Sequence, residues 1–158
     1  MERTLLRTVS AVDDCERHLK ETNSAGTEIE SYLTQYLLVV LCADVQEELY
    51  RICEERAKLA NDEAMFTFIS ASSRKVLRSV LKHEIAGFVG MFGQNEKLTF
   101  NKIIDDETVT KYNNAVSNRH DVAHKTGTQV SFSELKEALV AAQDILQAVE
   151  LALAKDPT

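Results

Sequence analysis

Apolar residues along this chain recur at steps of three and four, the period of a helix with one buried face. Leu5, Val9, Val12, Cys15 and Leu19 form the first such stripe and predict a helix over residues 3–22. Asn23 to Gly26 reads as a loop, and Thr27-x-x-Glu30 is a capping-box signature for the next helix. That helix is expected to reach about Ala60, with Ile29, Leu33, Tyr36, Leu37, Val40, Leu41, Val45, Leu49 and Ile52 inside. Its middle, from Gln35 to Ala43, is apolar on nearly every side, which predicts the central helix of a bundle. Asn61 and Asp62 end it.

The pattern from Glu63 to Gly93 is helical but less regular. The polar run Ser70–Ser73 predicts a break, giving a short helix near 63–71 and another within 74–92 that Gly87, Gly90 and Gly93 weaken. Residues 97–104 predict a short helix with Leu98, Phe100, Ile103 and Ile104. Asp105 or Asp106 then caps a helix running to about His124 or Lys125, with Gly127 placed as its stop. Ser131-x-x-Glu134 is a second capping box, opening a last helix lined by Leu135, Leu139, Ala142, Leu146, Val149 and Leu153. The expectation is all-α: a bundle of four main helices plus short additional helices, with no internal repeat and no strand.

Length changes little in this picture, since 158 residues suit one domain over 1–158 that buries roughly two-thirds of the unfolded chain's surface. One proline and five glycines leave few breaks in long helices. No uninterrupted apolar run of about 18 residues exists, so no membrane partner is expected. The acidic, polar start lacks a signal-peptide core, and a cytoplasmic location is expected. Cys15, Cys42 and Cys53 form no Cys-x-x-Cys pair, and Cys42 and Cys53 are about 16 Å apart along a helix, which points to reduced thiols.

Charge is more informative for its distribution than for its total of −7. Residues 1–73 carry 7 Lys/Arg against 14 Asp/Glu, residues 74–125 carry 9 against 6, and residues 126–158 carry 2 against 5. The middle third alone is basic. It holds Arg74, Lys75, Arg78, Lys82 and His83, and then the segment Ser117-Asn118-Arg119-His120-Asp121-Val122-Ala123-His124-Lys125. Salt screens fields beyond about 8–10 Å, so a local basic face can attract phosphates on an acidic protein.

Around that segment the chain resembles the HEPN superfamily, whose members carry an Arg, a polar residue, and a His four to six positions after the Arg, before a last long helix. Here these are Arg119, His120 and His124. The acid-dotted apolar stretch from Leu37 to Ile52 and the Gly87–Gly93 stretch are similar to the RiboL-PSP subgroup, and the likeness covers roughly residues 30–153. The resemblance implies a HEPN-like helical bundle and a metal-independent endoribonuclease without cofactors, its site shared by two subunits of a homodimer. RNA is then the substrate, and the ends carry a 2′,3′-cyclic phosphate and a 5′-hydroxyl. Family analogy adds a prokaryotic defence or toxin role and a regulatory or antitoxin protein.

The residue types suit that chemistry. Attack by a ribose 2′-hydroxyl needs a base, an acid for the leaving oxygen, and positive charge on the phosphate oxygens. An imidazole with an ordinary pKa near 6.5, as at His124, exchanges protons near neutral pH. The guanidinium of Arg119 presents a planar fork to phosphate. Residues five apart on an ideal helix point about 140° from each other, so the pair converges only with an extended Arg or a distorted helix end. His120, Asp121 and Lys125 are supporting or RNA-binding candidates, and Asp44 and Glu47 on the central helix are candidates to orient Arg119. Departures from the family pattern are His120 where Asn is common, Lys125 where Gly is common, and Thr126 where one toxin subgroup has a modifiable Tyr.

Two rival readings arise. His120-Asp121-x-x-His124 faintly echoes the zinc-protease pattern, but Asp is shorter than Glu and no third ligand is evident, so no metal is expected. The stronger rival is a non-catalytic HEPN-like module that binds RNA, nucleotides or protein, because fold does not fix function.

Overall fold

The computed structural model describes residues 5–122 and 130–154, with the side chains of residues 119–122 outside that description. Seven helices are present among the described residues: α1 (Leu6–Glu21), α2 (Glu28–Lys58), α3 (Glu63–Val76), α4 (Lys82–Val89), α5 (Gln94–Ile103), α6 (Asp106–Val122) and α7 (Phe132–Leu153). The all-α expectation holds.

Helix α7 is the apolar axis of the bundle. Leu135, Ala138, Ala142, Ile145, Ala148 and Val149 are fully or almost fully buried along it, small residues alternating with large ones so that α2 and α6 approach closely. Its N-terminus carries the expected capping box. The Ser131 hydroxyl accepts from the Glu134 N–H at 3.2 Å, and the Glu134 carboxylate accepts from the Ser131 N–H at 2.7 Å. The box foreseen at Thr27 is shifted. Thr27 accepts from the Ile29 N–H rather than from Glu30, and Glu30 reaches back to the Gly26 N–H at 2.8 Å.

Three local expectations need correction. Ser70–Ser73 does not break the chain, because α3 runs through it. The Ser70 hydroxyl donates to Glu54 on α2, and the Ser73 hydroxyl donates back to the Ile69 carbonyl, so both polar groups are satisfied without unwinding the helix. The break comes at residues 77–81, which are not helical and which α4 follows only at Lys82. On α5, Phe100 is buried while Leu98 and Ile103 are exposed. On α2, Leu37, Leu41, Val45, Leu49 and Ile52 are buried as expected, but Ile29 and Tyr36 are exposed, as are Tyr32 and Val39.

The 77–81 connection is nonetheless tied to the core. Gln46 Nε2 and the Tyr50 hydroxyl both donate to the Leu77 carbonyl, at 2.9 and 3.2 Å, and the buried Tyr112 hydroxyl donates to the Val80 carbonyl at 2.6 Å. Asn113 Oδ1 accepts from the Lys82 N–H at 3.0 Å, replacing the cap that α4 lacks on its own N-cap residue.

Candidate functional site

The segment that carries the sequence signature is the end of α6. Its helical backbone continues to Val122, so Arg119, His120 and Asp121 occupy helical positions in the last turn. Their side chains, together with His124, Lys125 and the foreseen Gly127 stop, lie outside the described residues. The meeting of Arg119 with His124, and the reach of Asp121 or Lys125, are therefore not among the described contacts.

What holds this helix end is described. Tyr112, Ala115 and Val116 are buried on the inner face of α6. Burial pushes the Tyr112 phenol well above its usual range, with Cys42 beside it adding to the effect, so the phenol remains a proton donor to Val80. On the outer face Lys111 bridges Glu107 at 2.8 Å and Glu137 of α7 at 3.4 Å, and both pairings raise its pKa. Two turns of α6, about 10 Å, separate the Tyr112–Asn113 anchor from Arg119.

A cleft of about 400 Å³ opens between α6 and α7 beside Asn118, the residue before Arg119. Lys111, Asn114, Asn118, Val130, Glu134 and Glu137 line it. Asn118 Nδ2 donates to the Asn114 carbonyl at 2.7 Å. Glu134 is engaged by Ser131, which holds its carboxyl below the usual carboxylate range. The cleft thus offers amide groups and one ammonium, but two carboxylates face them.

The supporting acids sit elsewhere in the contact network. Asp44 Oδ2 accepts from the Thr8 N–H at 2.9 Å and the Thr8 hydroxyl at 2.8 Å, and its Oδ1 pairs with Arg7 at 2.9 Å. Glu47 lies 3.5 Å from Arg74, which also approaches Glu54 and stacks over the Tyr50 ring at 4.6 Å. Among the described residues both acids are engaged by α1 and α3, and neither contact is with α6. The basic cluster is split as well. Arg74 is neutralised on α3, Arg78 lies in the connection, Lys82 reaches Asn101 on α5, and His83 lies 3.3 Å from Glu84. Thr8, Tyr112 and Asn113 were not singled out in the sequence, because the partners that give them meaning are more than 30 positions away.

Cys42 and Cys53 are buried, and burial, first of all, pushes the Cys53 thiol up to about 12, which keeps it unreactive. Among the described residues no group of three His, Cys, Asp or Glu side chains gathers as a metal site, and no helix is long and apolar enough to cross a membrane. The family model of RiboL-PSP-HEPN matches residues 4–155. No curated protein and no solved structure matches the chain.

Proposed function

The chain belongs to the RiboL-PSP-HEPN family, and from that premise we propose that it is a metal-independent endoribonuclease acting as a homodimer in the cytoplasm of a prokaryote. Family membership supports a HEPN-type nuclease or an RNA-related module; the nuclease is the finer reading. The observation that carries it is the Arg119-x4-His124 signature within the matched span, entering from the last turn of a helix that is anchored on its inner face.

In this reading the 2′-oxygen attacks the adjacent phosphorus while an imidazole takes the 2′-proton. The bond from phosphorus to the 5′-oxygen breaks, and the imidazolium of the second copy returns a proton to that oxygen. Arg119 from each copy stabilises the charge that builds on the non-bridging oxygens. Products are a 2′,3′-cyclic phosphate and a 5′-hydroxyl, and water enters no bond. His120 and Lys125 contact neighbouring phosphates, and Asp121 orients a basic partner. A toxin or defence role, restrained by a regulatory or antitoxin protein, follows by analogy with the family.

The test is incubation of total RNA with the wild type, Arg119→Ala and His124→Ala in EDTA. Wild-type cleavage that both variants lose supports the nuclease. Cleavage surviving both substitutions, or abolished by EDTA, overturns it. One observation favours a non-catalytic binding module instead. Glu134 and Glu137 outnumber Lys111 in the cleft beside Asn118, and that balance is unfavourable to phosphate. RNA left intact by all three proteins supports that second reading.

A further inference from the structure

Helix α3 covers one face of α2 only over the C-terminal half. The Leu77 carbonyl, just past the end of α3, is held by Gln46 and Tyr50, so coverage stops at that turn. Beyond it the same face continues with Val39, Tyr36, Tyr32 and Ile29, spaced three, four and three apart, at 51%, 58%, 63% and 46% exposure. Ala43, the next position of the series, is also exposed. A row of large apolar groups at this spacing is the seam of a paired helix, and here its mate is missing from the described chain.

We propose that this strip is the interface between two copies of the chain, with α2 packed antiparallel to its symmetry mate about an axis at Tyr36. In that register Ile29 opposes Ala43, Tyr32 opposes the turn at Val39 and Val40, and the two Tyr36 rings meet at the axis, so one surface serves both copies. Antiparallel packing also opposes the helix dipoles and keeps Glu28 and Glu30 from facing their own copies. Two tyrosines more than half exposed offer on the order of 100 Å² each. The strip and its shoulders then offer on the order of 500–700 Å² per protomer, against about 600–1,000 Å² per partner in specific complexes.

The strip also lies level with the last described turns of α6. Thr8 meets Asp44 across the antiparallel pair α1 and α2, so Glu16, eight positions on, is level with Tyr36. Glu16 pairs with Lys136 of α7 at 3.0 Å, and Glu134, two positions before it, shares the cleft with Asn118 of α6. A two-fold axis at Tyr36 therefore brings both α6 ends to one level of the dimer. That consequence for a composite site rests on the nuclease reading; the dimer does not.

Sedimentation of the purified chain tests it. The wild type sediments as a dimer, Tyr36→Glu as a monomer with unchanged helix content, its dimer dissociation constant raised at least about 100-fold. Val140→Glu, at an exposed apolar position on α7, stays dimeric. A monomeric wild type, or a Tyr36→Glu protein that remains dimeric, overturns the assignment whether or not RNA is cut. In a Cys15→Ser background, Tyr36→Cys forms an oxidative cross-link between copies and Ile29→Cys does not; cross-linking at 29 as well overturns the antiparallel register.

Discussion

The Asp44 carboxylate caps α1 from a different helix, accepting both the backbone N–H of Thr8 and its hydroxyl on one oxygen. Thr8 is the third residue of α1, and its N–H is one of the donors that a helix start leaves without a partner. Leu5, the N-cap residue, makes no side-chain cap of its own. Asp44→Ala strands that donor and the buried Thr8 hydroxyl together, and the expected loss is about 2–3 kcal/mol in urea unfolding. A loss below about 0.5 kcal/mol contradicts the capping role.

Tyr112→Phe removes one hydroxyl and leaves the Val80 carbonyl without its donor in a buried setting. About 1–3 kcal/mol of stability is expected to go, read as a lower Tm. The substitution also loosens the anchor two turns before Arg119, so on the proposed nuclease reading RNA cleavage is expected to fall at temperatures where the fold is intact. Cleavage that tracks only the folded fraction contradicts the anchoring role.

Cys53 gives a pH signature. Its folded-state pKa of about 12 lies above the 9.0 of an unburied thiol, so the unfolded chain loses this proton first. The stability is present in full below pH 9 and drains away as pH rises towards 12, with a slope approaching about 1.4 kcal/mol per unit from this group. Tyr112, raised well above 10, adds to the loss from about pH 10. Cys53→Ala is expected to flatten the alkaline slope. In thiol labelling at neutral pH, Cys15 reacts before unfolding and Cys53 only with it.

In the proposed reaction the imidazole and guanidinium are not replaceable by approximate substitutes. His124→Ala is expected to slow single-turnover cleavage by roughly 10²–10⁴-fold. Arg119→Lys keeps the charge but loses the planar fork, and is expected to recover only a minor share of wild-type rate. Full activity from the lysine variant shows that charge alone suffices at that position.

Local signals were legible in the sequence where both partners lie within one turn. Ser131 and Glu134 form the box their spacing announced, and Asp105 caps the helix it precedes, accepting from Thr108. Reading failed where a distant partner decides. Ser70 looks like part of a break until Glu54, on the preceding helix, is seen to accept from it. Tyr36 looks buried because periodicity marks an apolar row without saying how far α3 extends over it. Asp44 and Glu47 were visible as acids on the right helix, but their partners Thr8, Arg7 and Arg74 come from α1 and α3. The Arg119–His124 signature was legible as a motif, and its side-chain geometry lies outside the described residues.

The link between α3 and α4 has no regular structure, yet three side chains from two helices grip its carbonyls. Such a stretch behaves as masonry rather than as hinge. Anyone re-cutting this chain, by permutation, insertion or limited digestion, should find residues 78–80 refractory and the turn at Asn61 forgiving.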